Sequence, residues 1–173
     1  MAKEQKTAYR PTWDEFWLTQ ALFYSTRGTC DRLRTACILV DKSNKLIGAG
    51  YNGSVPGDKH CDTDGHILED GHCIRTLHAE ENSILHSTGD VQGATAYMLA
   101  APCIDCAKKL ITKGVKRIVY THDYKNSKGK EHVIRLTSQQ GIVFEHNKID
   151  FKETLEKMKT VLEGPGGAFK NEQ

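Results

Sequence analysis

Ala94-Thr95-Ala96-Tyr97-Met98-Leu99-Ala100-Ala101-Pro102-Cys103-Ile104-Asp105-Cys106, continued through Lys113-Gly114 to Lys116-Arg117-Ile118-Val119-Tyr120, is the stretch whose reading decides the fold. It opens with a β-rich apolar run over 94–99 and passes Pro102. It then carries helical spacing from Cys103 to about Lys113, stops at Gly114, and ends in a second apolar run over 116–120. A strand, a helix and a strand in that order predict a right-handed parallel crossover. Downstream the pattern repeats: a helix over His132–Gln140 stopped by Gly141, a strand over Ile142–His146, and a last helix from about Phe151 to Leu162. Upstream, Thr12-Trp13-Asp14-Glu15 is a capping box. It starts a helix reaching about Tyr24, with Trp13, Phe16, Trp17 and Ala21 on one face and Gly28 helping to end it. Residues 35–41 and 45–51 read as an antiparallel hairpin through Lys42-Ser43-Asn44, and a helix starts at Ala79 and reaches about Ser87. The order α-β-β-α-β-α-β-α-β-α predicts an α/β chain with a five-stranded mixed sheet and helices on both faces. One domain covers residues 1–173, with a mobile tail from about Glu163, where Gly and Pro concentrate.

The bulk numbers narrow the function. At 173 residues, 38% hydrophobic and 27% charged, the chain has the profile of an ordinary soluble domain with a real core. A formal net charge of +2 does not suggest a polynucleotide-binding surface. No apolar run approaches a membrane span, and Met1 to Arg10 is too polar for a signal peptide, so a cytoplasmic location is expected. Six cysteines in a cytoplasmic chain read as metal ligands rather than disulfides. Cys37 is the exception: it lies inside Ala36-Cys37-Ile38-Leu39-Val40 and reads as a small core residue.

The chemistry lies in His78-Ala79-Glu80 and Pro102-Cys103-Ile104-Asp105-Cys106. One His and two Cys hold zinc through three ligands and leave a fourth position open, as catalytic zinc sites do. Cys103 is expected at a helix N-terminus, where free N–H groups and the dipole favour thiolate; Cys106 follows one turn on, on the same face. Glu80 is placed to move protons without binding metal. A structural zinc site takes four protein ligands and has no use for Glu80. The pattern H-x-E…P-C-x-x-C is the signature of zinc nucleobase deaminases, in which activated water attacks the ring carbon bearing the amine and the Glu shuttles protons until ammonia leaves. Ala79 is small, and its backbone N–H suits the edge of the base.

Cys30, Cys61 and Cys73 are left over, with His60, His66 and His72 nearby. Residues 52–77 show no clear period, and so long an irregular segment needs something to order it. A closed second zinc site of three Cys and one His would do so. His66 is the preferred fourth ligand, because His60 and His72 each adjoin a cysteine and neighbours in extended chain point apart; His72 is the alternative.

Arg27-Gly28-Thr29-Cys30, Gly50-Tyr51-Asn52-Gly53, His60-Cys61-Asp62 and Asp70-Gly71-His72-Cys73-Ile74-Arg75-Thr76 join the zinc motif in a wider pattern. Over roughly residues 12–146 it resembles the deoxycytidylate (dCMP) deaminases, in the phage and bacterial branch of the cytidine-deaminase-like zinc enzymes. The resemblance implies a three-layer α/β/α sandwich and conversion of dCMP and water to dUMP and ammonia, on the way to dTTP. It also implies a homo-oligomer, usually a hexamer, activated by dCTP and inhibited by dTTP with Mg²⁺, in a cytoplasm that is the host's if the chain is phage-encoded. Asn52 then becomes a candidate for the base or sugar, against an ordinary turn Asn in an Asn-Gly pair. Thr26 and Arg27 become candidates for the phosphate, against a solvated cation at a helix end. Tyr124 is a candidate to stack on the base or reach the phosphate, while Lys125 and Lys128 read as loop charges. Tyr51, Gly53 and Asp58 are effector-site candidates on the resemblance alone. The competing readings are a tRNA adenosine deaminase, which wants a basic surface, a free cytidine deaminase, which needs no phosphate site, and a non-catalytic zinc-stabilised binding module, which would not need Glu80.

Overall fold

The computed structural model describes residues 9–123 and 129–169. The chain runs α1 (Trp13–Ser25), β1 (Ala36–Val40), β2 (Leu46–Tyr51), β3 (Gly53–Ser54), α2 (Cys61–Asp64), β4 (Leu68–Glu69), β5 (His72–Cys73) and β6 (Thr76–Leu77). It continues through α3 (Ala79–Leu85), β7 (Thr95–Ala100), α4 (Ile104–Thr112), β8 (Arg117–His122), α5 (Lys130–Gln139), β9 (Val143–His146) and α6 (Phe151–Glu163).

Five strands form one mixed sheet in the order β2-β1-β7-β8-β9. The pairs β1–β2 and β1–β7 are antiparallel, while β7–β8 and β8–β9 are parallel. Both faces are covered, which is why the central strands read as continuous apolar runs rather than alternating ones. The alternation survives in what each residue touches. Ala36, Ile38 and Val40 of β1 pack with Trp17, Leu18 and Ala21 of α1, whereas Cys37 and Leu39 pack into the opposite cluster with Leu110 of α4. Cys37 is fully buried, and burial pushes its thiol up, in keeping with an inert core residue.

The Thr12 capping box forms as expected: its side chain accepts from the Glu15 N–H and the Glu15 carboxylate accepts from the Thr12 N–H. The inward face of α1 differs from the expected one. Trp13 is 55% exposed and stacks on Trp17 at 6.2 Å, while Leu18 is fully buried. The inward face keeps Trp17 and Ala21 and is rotated toward Leu18, which α1 tolerates because it is apolar almost all round.

Residues 52–77 are not the irregular loop the sequence suggested. They hold a β3–β6 pair, a β4–β5 pair and the one-turn α2. The β4–β5 hairpin turns through Asp70 (φ +48) and Gly71 (φ +76), the left-handed pair that Asp-Gly supplies most readily. At the C-terminal end α6 reaches Glu163, and the Phe169 N–H folds back onto the Leu162 carbonyl at 2.8 Å. The last residues of the expected tail, 170–173, lie outside the described residues, as do Tyr124, Lys125 and Lys128.

Candidate active site

Two glycines on β2 set the position of α3. A Cβ at Gly50 would lie 2.3 Å from the Ser83 nitrogen and 2.6 Å from the Ala79 carbonyl oxygen; one at Gly48 would lie 2.6 Å from the Ser83 carbonyl oxygen. Without those side chains the helix lies directly on the strand. The Asn82 side chain then donates to the Tyr51 carbonyl at 2.7 Å, fixing the helix along the strand. His78 is the N-cap of α3, and its backbone N–H donates to Glu81 Oε2 at 2.9 Å. The Glu81 carboxylate also pairs with Lys109 of α4, which ties the two helices that carry the zinc motif.

Cys103 is the N-cap of α4 and Cys106 lies in its first turn. Cys103 Sγ is 3.7 Å and Cys106 Sγ 3.3 Å from His78 Nδ1. A tetrahedral zinc with Zn–S of about 2.3 Å and Zn–N of about 2.0 Å keeps nitrogen and sulfur ligands about 3.5 Å apart. The three groups fit such an ion as they stand, and three protein ligands leave a coordination position open. Between the three groups the protons are shared unevenly. The Cys103 thiol is pulled down to about 4, chiefly by a hydrogen bond from Cys106, with His78 assisting against burial. His78 is raised to about 9 by its hydrogen bond to Cys103, and Cys106 is raised by its hydrogen bond to Cys103 and by burial. A divalent ion takes all three as unprotonated ligands and expels those protons.

Glu80 follows two residues after His78 and is only 7% exposed. Burial pushes its carboxyl up, with the nearby His78 opposing, so the group holds a proton more readily than an exposed glutamate does. Glu80, His78 and Cys103 line a cavity of about 460 Å³, a size suited to a small ligand. The site sits past the C-terminal end of β7, where ligands bind in open α/β sheets.

Of the other expected site residues, Ala79 and Asn52 line the same cavity and are buried. Asn52 is more than a turn residue. Its Oδ1 accepts from the Thr35 N–H at 2.9 Å and its Nδ2 donates to the Leu33 carbonyl at 2.6 Å, which holds the chain entering β1. Thr26 and Arg27 are not brought to the cavity: Thr26 is the C-cap of α1, its hydroxyl bonded to the Phe23 carbonyl, and Arg27 is exposed at the same helix end. The cation that does line the cavity is Arg32, two residues beyond Cys30. The helix-end reading of Arg27 and the cysteine reading of Cys30 left the residue between them and β1 unread. Tyr51, Gly53 and Asp58 lie outside the cavity wall; Asp58 sits 3.6 Å from Arg75.

The leftover cysteines converge. The ligand atoms of Cys30, Cys61, His66 and Cys73 all lie within 4.8 Å of one another. Cys30 Sγ is 3.8 Å from His66 Nδ1 and Cys61 Sγ 3.6 Å from Cys73 Sγ. Those separations match the edges of a tetrahedral zinc–sulfur–nitrogen site, about 3.5–3.8 Å. His66 is the histidine in the cluster, whereas His72 lines the cavity instead. The other ring nitrogen of His66, Nε2, lies 3.0 Å from Asp31 Oδ1, a carboxylate–histidine arrangement that orients a metal-bound imidazole. Asp31 was not anticipated from the sequence, although its place beside Cys30 was the available signal.

A sheet covered on both sides, with two helix N-termini presenting one His and two Cys beside a buried Glu, defines a zinc-dependent deaminase. Residues 11–122 match the family model described as the cytidine and deoxycytidylate deaminase zinc-binding region, and the chain belongs to that family. It is 35% identical over 144 residues to the ComE operon protein 2 of Bacillus subtilis, covering 82% of this chain and 74% of that protein. It is 32% identical to the deoxycytidylate deaminase of Mycobacterium phage D29, covering 64% of this chain and 95% of that one. The deoxycytidylate deaminase of Saccharomyces cerevisiae is 31% identical, but the match spans only 42% of its length. Among solved structures, the dCMP deaminase of cyanophage S-TIM5 in complex with dCMP and dUMP superposes with a TM-score of 0.67 at 26% identity, covering 80% of this chain and 99% of that one. Among the described residues no helix is long and apolar enough to cross a membrane.

Proposed function

We propose that this chain converts dCMP and water to dUMP and ammonia, with His78, Cys103 and Cys106 holding the zinc. The observation that carries the reading is the buried Glu80 beside a three-ligand cluster already at zinc spacing, inside a cavity of ligand size. The zinc, when bound, supplies Lewis-acid activation of the attacking water. Glu80 takes a proton from that water and passes it to the ring nitrogen of the pyrimidine. It then takes the proton from the hydroxyl now on C4 and delivers it to the exocyclic nitrogen, which leaves as ammonia while that oxygen stays as the new carbonyl. The Ala79 N–H, in the first turn of α3, has no partner within the helix and is free to hold the edge of the base. Asn52, anchored by Leu33 and Thr35, keeps one N–H and one carbonyl lone pair for base or sugar. The relatives named for deoxycytidylate supply the choice of substrate.

Cys30, Cys61, His66 and Cys73 form a second, closed zinc site in this reading, with Asp31 behind His66. Activation by dCTP, inhibition by dTTP with Mg²⁺, the hexamer, and a role for Tyr51, Gly53 and Asp58 in effector binding rest on family membership. The product would enter dTTP synthesis in the cytoplasm. Ammonia release measured side by side on dCMP, deoxycytidine, CMP and dCTP tests the substrate. A strong preference for dCMP is expected; equal rates on dCMP and deoxycytidine, or no release with zinc bound and dCTP added, would refute it.

A further inference from the structure

The cavity wall carries five carboxylates, Glu69, Asp70, Glu80, Glu81 and Asp105. Among the described residues, Arg32 is its only lysine or arginine. A nucleoside monophosphate brings a doubly charged anion against that wall, so its phosphate needs a cationic donor placed to offset the repulsion.

Three arginines surround the segment that holds the second cluster, and two are already neutralised. Arg34 lies 3.3 Å from Asp62 and donates to the Gly28 carbonyl at 3.0 Å. Arg75 lies 3.6 Å from Asp58 and donates to the Lys59 carbonyl. Neither lines the cavity. Arg32 forms no ion pair among the described residues; its Nη1 donates to one neutral acceptor, the Gly71 carbonyl, at 3.0 Å. A guanidinium has five N–H donors in a fixed fork, so its charge and most of its donors stay available for a phosphate.

The second cluster bears on where Arg32 sits. Arg32 lies two residues after Cys30, and Gly71 lies two residues before Cys73. The Arg32–Gly71 bond therefore bridges the same two segments that a metal on Cys30 and Cys73 would clamp, and both cysteines line the cavity.

We propose that Arg32 is the specificity-determining residue that binds the 5′-phosphate of the nucleotide, and that the Cys30–Cys61–His66–Cys73 cluster positions it. The inference rests on the dCMP reading above and adds the residue that distinguishes a nucleotide from a nucleoside.

Arg32→Ala and Arg32→Lys, each checked for unchanged zinc content, are assayed on dCMP and on deoxycytidine. Loss of a charge-assisted pair is expected to raise KM for dCMP by about 10- to 100-fold in Arg32→Ala. Deoxycytidine turnover shifts by less than about threefold, as fits a contact made only to the phosphate. Arg32→Lys keeps the charge but not the fork and falls between. Equilibrium binding of dUMP against deoxyuridine gives the same comparison without turnover. A wild-type protein that fails to deaminate dCMP would thus condemn the reaction and still leave Arg32 tested. Equal losses on nucleotide and nucleoside, unchanged dUMP affinity in Arg32→Ala, or loss of the phosphate preference in Arg27→Ala instead would overturn the proposal.

Discussion

The two cysteine–histidine clusters border one cavity and differ in what holds them. His78, Cys103 and Cys106 stand at the starts of α3 and α4, helices pressed onto the sheet by Gly48 and Gly50 and by a core that includes Cys37, Leu39, Met98 and Leu110. The other cluster stands on a segment that buries little: among residues 54–77, Cys61 alone is buried. Such a segment cannot hold its shape by apolar burial, and in the proposed reading a metal with four protein ligands would replace the missing core. The three-ligand cluster is built by the fold and leaves a position for chemistry. The four-ligand cluster, with a metal bound, would build its own piece of fold and leave none.

The largest effect expected from that contrast is in the open cluster. Cys103→Ser should remove one zinc per chain and drop ammonia release to background, yet leave Tm within a few degrees, because packing rather than metal holds α3 and α4. A collapse in Tm would show that the fold depends on this zinc too. Cys61→Ser should do the opposite: residues 54–77 become sensitive to limited proteolysis, and KM for dCMP rises about tenfold or more while kcat falls less. Protease resistance unchanged after loss of that zinc would break the comparison. Asp31→Asn keeps all four ligands and should weaken only the second zinc, by about 10- to 100-fold in a chelator competition. An equal loss at both sites would mean that Asp31 acts on more than His66.

The smallest effect belongs to the N-terminal ends of the parallel strands, at the opposite end of the sheet from the cavity. Arg117 on β8 bonds Asp14 of α1 at 2.6 Å and Glu145 of β9 at 2.8 Å. The hydrogen bond from Arg117 lowers the Asp14 carboxyl below its usual range, with burial opposing. A depressed folded-state value adds stability that is present above the ordinary carboxylate pKa and is lost as pH falls through the folded one. The contribution should be about 1–2 kcal/mol at neutral pH. It should fade below about pH 4, the ordinary Asp range. Urea unfolding of Arg117→Ala against wild type at pH 7 and pH 3 checks it: the gap should narrow in acid, and a gap that widens would contradict the assignment.

Most of the sheet was legible because its strands are apolar runs ended by Gly or Pro and its helices begin at recognisable caps. The open cluster was legible because one His and a Cys-x-x-Cys pair cannot serve a closed site. Residues 52–77 were harder to read, since their candidate ligand atoms come together from distant residues and their two-residue strands are too short to show a period. The Asp70-Gly71 turn was nonetheless a signal in plain view. Trp13 misled because an apolar side chain on a mostly apolar helix says little about which face turns inward. The phosphate candidates were chosen at a helix end, where a charged residue also explains itself locally; the structure leaves Thr26 and Arg27 off the cavity wall and puts Arg32 on it, beside a contact with Gly71 that the linear sequence does not reveal.

The measurement that tests the central claim most directly is ammonia release from dCMP by Glu80→Gln, with zinc content and the melting curve recorded on the same sample. Full zinc occupancy, an unchanged melt and a rate lower by about 10²- to 10⁴-fold, the range for removing a general acid–base group, are expected. A variant that keeps its zinc and deaminates dCMP within a few-fold of wild type would contradict the claim, because the proton transfers would then run through some other group.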